Sequence, residues 1–251
     1  MLRPADKTLV KDAATASVAA VAVAAAVGSQ FSTCARWSAS LVDKCRSTLS
    51  QDVVPHDLRH FVAPFVDPLC GTLAEGHWAL FAIVVANALC YLPAKVNLNS
   101  WAISRNTLSH ERLLKSQLAH ANHGHILGNM LTLLAVGSEV STALGCNQLL
   151  LLALYLACGW AGGFAAALLS PAHTRTVGAS GAVSGVILAL SVLRPNAAVD
   201  ILGDVKAAHP LMLLFGTLMA DLTRGGISWQ GHFGGGAAGC LLALPLRLLS
   251  S

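Results

Sequence analysis

The sequence predicts an all-α polytopic membrane protein, and two observations lead to that fold class. Of the 251 residues, 55% are hydrophobic and 11% are charged, whereas a soluble domain carries about 25% charged residues. Most of the chain beyond residue 75 also falls into long stretches that lack Asp, Glu, Lys and Arg. A soluble fold with so few charges would expose too much apolar surface to water, which disfavours a cytosolic enzyme.

Six membrane spans are predicted from the uncharged stretches, because a helix needs about 20 apolar residues to cross a bilayer. They cover residues 76–94, 116–138, 150–169, 176–193, 207–220 and 225–246. The fifth stretch has only 14 uncharged residues and would depend on flanking turns or neighbouring helices. We therefore expect residues 76–251 to form one membrane-embedded domain of six helices.

The N-terminal part of the chain holds half of its charged residues and divides into two segments. Residues 1–76 contain seven of the 16 basic and seven of the 12 acidic residues. Residues 1–35 include an uncharged tract rich in Ala and Val, which fits either an additional leading transmembrane helix or a cleaved targeting segment. Residues 36–75 are predicted to be a polar connector along the membrane surface.

Charge and cysteine usage exclude several classes of partner. Beyond residue 76, nine basic residues stand against five acidic ones. They never cluster with aromatic residues, which favours charge bias in membrane loops and disfavours nucleic-acid binding. Basic residues occur on both alternating sets of connections, so they leave the membrane orientation open. The seven cysteines form no CxxC pair, and we predict neither a metal nor a cofactor.

The first cluster of polar residues stands at the start of the second predicted span. A polar side chain inside a membrane is costly, so such residues are functional candidates. His125 and Asn129 are four residues apart and share one helix face, whereas His120 and His123 are offset from that face. Helix capping is one explanation of the cluster. A zinc site is another, but there is no HExxH motif and the three histidines do not converge.

The second cluster opens the fourth span and runs from Gly178 to Gly185, with serines at Ser180 and Ser184. Small residues at this density allow helices to pack closely. A serine at a helix N-terminus is also suited to nucleophilic attack, because free backbone N–H groups and the positive end of the helix dipole stabilise an oxyanion. The GxSxG motif of soluble hydrolases is not met, since Ala182 stands where it requires glycine.

The third cluster places His232, Gly235 and Gly239 at the start of the sixth span. The two glycines form a GxxxG pair that fits against another helix of small residues, which the fourth span provides. A single histidine here would often be an interfacial cap. Next to Ser180 on a packed helix, however, His232 supplies the base that acyl transfer requires.

These motifs occur in an order that resembles the rhomboid family of intramembrane serine proteases. The pattern HxxxxHxxxN starts at His120, GASG starts at Gly178, and the late HxxGxxxG starts at His232. Each motif is weak alone, but three in this order on a six-span pattern are specific. The resemblance covers about residues 77–249 and implies a rhomboid-like bundle of six transmembrane helices with a catalytic function.

The resemblance also implies roles for individual residues. Ser180 is expected to be the nucleophile and His232 the general base and acid. His125 and Asn129 are expected to form the oxyanion hole together with the backbone N–H of Ser180. Supporting positions implied by the same motifs are His120, Gly178, Gly181, Gly235 and Gly239. No acidic residue is suitably placed for a triad, since Glu139 lies about 15 Å along the helix from Asn129, so we expect a Ser-His dyad.

Two positions depart from the family pattern of bacterial members. Glu111 and Arg112 stand where a Trp-Arg pair is usual, and Ser184 stands where an aromatic residue often packs on the catalytic histidine. Together with the additional helix in residues 1–35, these departures suggest an organelle-type member in a mitochondrial or plastid inner membrane. The glycine-rich connection 224–231 is expected to act as a lid.

The expected substrates are single-pass transmembrane proteins cleaved near the end of their helix, with membrane lipids as the other partners. A catalytically silent relative that binds transmembrane helices for quality control is the first alternative. It is disfavoured because Ser180 and His232 are both present. A channel or transporter that uses His125, Asn129 and Asp221 as a polar path is a further alternative, disfavoured because the two halves of the chain are not repeats.

Overall fold

A computed structural model describes residues 71–72, 75–199, 209–224 and 228–250 of the chain. The main helices are α1 (Trp78–Val96), α2 (His110–Leu118), α3 (His123–Ala143), α4 (Gln148–Leu169), α5 (Ser180–Leu193), α6 (Pro210–Arg224) and α7 (Trp229–Ser250). Short turns of helix at Leu98–Trp101 and Arg105–Thr107 connect α1 to α2. Within the described residues, β-structure is limited to one bridge between Ile103 and Thr176. The all-helical fold class is thereby confirmed.

Among the described residues, three helices are long and apolar enough to cross a membrane: α1, α3 and α4, with 19, 21 and 22 residues. The helix α5 is equally apolar but has only 14 residues. Helices also lie at the fifth and sixth predicted positions, as α6 and α7. The expected leading helix or targeting segment in residues 1–35 lies outside the described residues, as does nearly all of the connector 36–75.

The second predicted span is divided in the structure. Residues 116–118 belong to α2, and α3 begins only at His123. The break follows from capping, because the side chain of Asn122 accepts a hydrogen bond of 2.9 Å from the backbone N–H of His125, which starts a new helix. The predicted boundary at residue 116 was therefore wrong. An absence of charge marks apolar sequence but does not mark where one helix ends and another begins.

The helix α5 lies at the centre of the bundle and contacts α3, α4, α6 and α7. Every residue from 181 to 187 is buried, which is expected of a helix that is apolar on all sides and surrounded by other helices. Its apolar side chains, such as Val186 and Ile187, form the main core together with Leu133 and Leu154 from α3 and α4. The first residue of this central helix is Ser180.

Candidate active site

Glycines bring α5 and α7 into backbone contact immediately after Ser180. A Cβ atom added to Gly235 would overlap the carbonyl of Gly181, and a Cβ added to Gly239 would overlap the carbonyl of Gly185. The two pairs are four residues apart on both helices, so they form successive turns of one contact. A Cβ on Gly181 would also lie only 3.1 Å from the carbonyl oxygen of Gly231. We call this contact the glycine seam.

The glycine seam determines where Ser180 and His232 lie. Ser180 directly precedes Gly181, and His232 directly follows Gly231, so both residues lie at the same end of the seam. Ser180 is half-buried and His232 is buried, with 8% of its surface exposed. The structure thus brings together two residues that are 52 positions apart in the sequence.

Ser180 stands at a helix N-terminus without a side-chain cap. The residue before it, Ala179, has no polar group, and no side chain bonds to this helix end from the capping position. The first backbone bond of the helix runs from the N–H of Val183 to the carbonyl of Ala179, at 2.9 Å. The amides that come before it have no partner within the helix, which makes this end suited to an anion.

A small pocket opens beside Ser180. Its walls come from the second, third, fourth and sixth predicted spans and include Gln117, Gly162, Gly178 and Ser228. Glycines supply much of the lining, so backbone atoms approach the cavity closely. Ser180, the nucleophile candidate, therefore lines an open pocket.

His125 packs against the loop that leads into Ser180. Gly178 has a φ of +126°, and a Cβ added to it would lie 2.6 Å from Cε1 and 2.8 Å from Nε2 of the His125 ring. Only glycine fits this position, both because of its backbone conformation and because of the ring. The imidazole of His125 is consequently held within two residues of Ser180.

Asn129 lies one turn beyond His125 on α3 and is buried, with 8% of its surface exposed. Its Nδ2 group donates a hydrogen bond of 2.9 Å to the carbonyl of His125. An amide nitrogen carries two hydrogens, so this bond orients the side chain while the second N–H is still available for another acceptor. The predicted donors His125 and Asn129 are therefore on the α3 face that meets the start of α5.

His120 lies between α2 and α3, outside the helices, and is completely buried. Its ring stands edge-on to the ring of His125 at 5.0 Å between centroids. Burial, assisted by the nearby His125, lowers the pKa of His120 to about 3. The neutral ring can accept a hydrogen bond, and its Nε2 lies 3.4 Å from the backbone N–H of Ala179. His120 thus contacts the residue that precedes Ser180.

The loop before Ser180 is also fixed through its backbone. The N–H of Gly178 donates to the carbonyl of Ser116 at 2.8 Å, and Ile103 exchanges two hydrogen bonds with Thr176, at 3.0 and 2.8 Å. These contacts join the loop to the connection between α1 and α3. Arg112 in turn donates to the carbonyls of Asn99 and Ala102, at 2.7 and 3.1 Å, and so fixes the connection in which the family's tryptophan is missing.

The sequence interpretation missed the part of α4 that completes this end of the bundle. A Cβ on Gly162 would lie 2.7 Å from the carbonyl oxygen of Gly231 and 3.1 Å from Cα of Gly181. The side chain of Gln117 packs on Gly159 and donates to the carbonyl of Leu113 at 3.0 Å. The signal was present as three glycines within five residues of the third span, but that pattern alone does not indicate which helix they face.

Two further predicted positions lie apart from Ser180. Glu139 forms an ion pair of 2.7 Å with Arg194, at the far ends of α3 and α5. Ser184 is buried within α5, with 4% of its surface exposed. Across the residues that the structure describes, no three His, Cys, Asp or Glu side chains are grouped closely enough to hold a metal ion.

Comparison with known proteins gives two matches. Residues 109–248 match the family model described as the rhomboid domain. RHOMBOID-like protein 12, mitochondrial, from Arabidopsis thaliana is 28% identical over 195 residues, which is 67% of this chain and 58% of that protein. The chain therefore spans less than two thirds of the length of this relative. The family match includes the whole of α5 and the start of α7, and with them every residue of the glycine seam.

Proposed function

The chain belongs to the rhomboid family of membrane proteins, and we propose that it is an intramembrane serine protease that cleaves other membrane proteins. One observation carries the proposal: the glycine seam places Ser180, at an uncapped helix N-terminus, and His232 at the same end of two packed helices. This combination offers a nucleophile, a base and a site for negative charge in one place.

In the proposed reaction, the hydroxyl of Ser180 attacks the carbonyl carbon of the scissile bond while His232 accepts the hydroxyl proton. His232 then gives this proton to the departing amine as the C–N bond breaks, and an ester with Ser180 remains. Water, activated by the same histidine, hydrolyses the ester and restores the serine. The accessible cavity beside Ser180 supports this role, since both the peptide and the water must reach the hydroxyl.

The negative charge that forms on the carbonyl oxygen requires donors that are already in place. We propose that the His125 ring, the free N–H of Asn129 and the backbone N–H of Ser180 supply them. The packing of His125 on Gly178 and the bond that orients Asn129 support this assignment. Removing one such donor typically lowers the rate about 100- to 1000-fold.

The length of α5 supports chemistry below the membrane surface. A helix of 14 residues is about 21 Å long, whereas the apolar layer of a bilayer is about 30 Å thick. Its C-terminal end is marked by Arg194, which is half-exposed and paired with Glu139. With Arg194 at one membrane surface, the missing length would fall at the Ser180 end, which supports a hydroxyl below the level of the lipid headgroups.

The proposed substrates are single-pass transmembrane proteins. A peptide bond inside a helix must be unwound before it is hydrolysed, so Gly or Pro near the cut should favour cleavage. Entry of such a segment would require the connection 224–231 to move as a lid, of which residues 225–227 lie outside the described residues. Six spans and a preceding helix or targeting segment complete the proposed topology.

We place the protein in an organelle membrane, specifically the inner mitochondrial membrane, although a plastid inner membrane would fit the sequence equally. The mitochondrial designation of the Arabidopsis thaliana relative supports this. Fractionation of cells that express a tagged full chain, with protease protection of mitochondria before and after rupture of the outer membrane, tests the placement. Recovery of the protein outside mitochondria and plastids would contradict it.

The decisive experiment is reconstitution in liposomes with a set of single-span substrates. We expect cleavage by the unmodified chain and none by Ser180→Ala. Ser191→Ala is the matched control, because Ser191 lies on the same helix and bonds only to the carbonyl of Ile187 at 3.1 Å. Equal cleavage by the Ser180→Ala variant would contradict the proposal.

Covalent labelling gives a second and independent test. A fluorophosphonate probe should label Ser180 in the unmodified chain and in the Ser191→Ala variant. It should not label the Ser180→Ala or the His232→Ala variant. If the unmodified chain is not labelled by the probe and does not cleave the substrates, the catalytically silent, helix-binding alternative is favoured instead.

A further inference from the structure

Charge is unequally divided between the two ends of the bundle. At the end that holds Ser180, the described charged residues are the basic Lys95, Arg105, Arg112, Lys115, Arg175 and Arg224 and the acidic Glu111 and Asp221. At the opposite end they are Arg194 and Arg247, with Glu75 and Glu139. Among the described residues, six basic residues therefore stand against two acidic ones at the Ser180 end, whereas the opposite end is balanced with two of each.

The basic residues belong to one end because of contacts that the sequence could not reveal. Lys95 lies in the last turn of α1. One turn earlier in α1, the ring of Tyr91 lies 5.1 Å from the ring of His123, which begins α3 at the Ser180 end of the bundle. Arg175 lies in the loop before Ser180 and bonds to the side chain of Asn99. In the sequence these cations are spread over 81 positions, and the folded bundle brings them around the entrance to one site.

Within the part of the chain that the structure describes, most of these basic side chains have no carboxylate partner. Arg112 donates to two backbone carbonyls and Arg175 to a side-chain amide. Lys115 has a described acidic partner, Glu111 at 2.5 Å. Bonds to neutral groups fix the direction of a guanidinium but leave its full charge available to an anion. We call Lys95, Arg112, Lys115 and Arg175 the cationic collar.

The collar also has the features of a segment at the membrane–water interface. Two of its lysines lie beside aromatic rings, with Lys95 Nζ 5.6 Å from the centre of Tyr91 and Lys115 Nζ 5.8 Å from the centre of Trp101. Aromatic rings and basic side chains are enriched together at this level. The helix α2 is amphipathic, and such helices lie in the plane of the headgroups.

We propose that the cationic collar binds the headgroups of anionic phospholipids around the mouth of the site. The phosphates of phosphatidylglycerol or cardiolipin supply the charge that the collar lacks, and the acyl chains extend along the apolar helices below. Arginine and lysine at an anionic surface each contribute about a fivefold factor in affinity. The inference concerns binding alone and is independent of the proposed protease activity.

The test measures binding rather than catalysis. The Ser180→Ala protein is purified in a nonionic detergent, and its Tm is followed as phosphatidylglycerol, phosphatidylcholine or inorganic phosphate is added. We expect phosphatidylglycerol to raise the Tm at about 0.05 M salt and to have little effect at about 0.5 M, because screening shortens the range of the charges. Phosphatidylcholine and inorganic phosphate should leave the Tm nearly unchanged.

Variants at the two ends of the bundle test where phosphatidylglycerol binds. Changing Lys95, Lys115 and Arg175 together to Gln should raise the phosphatidylglycerol concentration needed for half of the Tm shift on the order of 100-fold. Arg247→Gln removes one charge at the opposite end and should leave that concentration unchanged. If the triple variant does not fold, Lys95→Gln alone, at an exposed helix end, should give about a fivefold increase.

Three outcomes would overturn the inference. One is an equal Tm shift with phosphatidylcholine, and another is an equal shift with inorganic phosphate. The third is an unchanged response to phosphatidylglycerol in the collar variants. Because the protein used lacks Ser180, none of these results depends on whether the chain is a protease.

Discussion

Both ends of the bundle bring a serine and a histidine together, but only one end has the surroundings of a catalytic site. At the end opposite Ser180, Nδ1 of His77 lies 2.9 Å from the hydroxyl of Ser141. A carboxylate oxygen of Glu75 lies 3.4 Å from the other ring nitrogen of His77. By residue type and distance, this end contains the more complete acid-histidine-serine arrangement.

The surroundings of Ser141 prevent it from acting as a nucleophile. It is completely buried, and its hydroxyl already accepts a hydrogen bond of 2.5 Å from the side chain of Gln148. It lies in the last turn of α3, where backbone carbonyls rather than amides are exposed and the helix dipole is negative. Ser180 lies in a first turn and beside a cavity. The direction of the helix and the access to the serine hydroxyl therefore distinguish the two ends.

The largest expected effect separates the two serines directly. Ser180→Ala should lower kcat on the order of 10⁶-fold, which is the usual cost of losing a serine nucleophile. Ser141→Ala should leave kcat within about threefold and should instead lower the Tm, because His77 and Gln148 lose a shared buried partner. Cleavage rates and thermal unfolding of both variants check this. A Ser141→Ala protein that is fully folded but inactive would reverse the assignment of the two ends.

The second largest effect on kcat is expected at the proposed oxyanion donors on α3. Asn129→Ala should lower kcat about 100- to 1000-fold with little change in KM, because the donor acts on the charge of the transition state. Asn87→Ala in α1 is a matched control, since Asn87 is also buried and makes the same bond to the carbonyl four residues earlier, at 2.8 Å. Steady-state kinetics distinguish the two. Equal losses in both variants would indicate a structural role for Asn129.

Sequence alone predicted the membrane class, the approximate positions of the described apolar helices and several candidate residues, such as His120 and His125, that lie close to Ser180. These follow from local signals: the absence of charge, glycine spacing, and polar residues where the membrane should exclude them. The network of His77, Ser141 and Gln148 could not be predicted, because its members are separated by 64 and 71 positions along the chain. None of the three lies in a recognisable motif. Such a network depends on how the helices pack, and no local pattern encodes it.

The same reasoning explains why the predicted start of the second span at residue 116 was wrong. Hydropathy measures what the bilayer tolerates, whereas the break between α2 and α3 comes from Asn122 acting as a cap. The break places His120 in a connection rather than in a helix, where its ring can reach Ala179. A continuous second span would have directed His120 along the helix face instead, away from the loop before Ser180.

The glycine seam gives the third prediction, which affects stability at the active-site end. Gly235→Ala should destabilise the protein by about 1–3 kcal/mol, because the added methyl overlaps the carbonyl of Gly181 and neither backbone can move freely. Activity should fall as well, since the two helices carry Ser180 and His232. Gly216→Ala is the control, because a Cβ there would meet no atom within 4 Å. Tm and cleavage rate measure both effects, and an unchanged Tm in Gly235→Ala would contradict the seam.

The smallest expected effect is a loss of stability at low pH, which should differ between the two ends of the bundle. His77 precedes α1, and burial lowers its pKa below the usual value for histidine, although Glu75 and Glu139 oppose this shift. Burial also lowers the pKa of His120, to about 3, without any acidic neighbour to oppose it. Both groups are neutral in the folded state and bind protons more readily when unfolded. Their contribution to the free energy of unfolding is therefore fully present above about pH 6.5 and decreases as the pH falls below that value.

The loss should be larger at the active-site end. For His120, a shift from 6.5 to about 3 corresponds to about 2 kcal/mol of lost stability at pH 5. We expect His120→Gln to remove most of the pH dependence of unfolding between about pH 7.5 and pH 5, and His77→Gln to remove a smaller part. Denaturant unfolding of each variant at the two pH values measures this. A larger effect from His77→Gln would mean that the carboxylates near His77 do not compensate for its burial, and that the network at Ser141 is the acid-sensitive end.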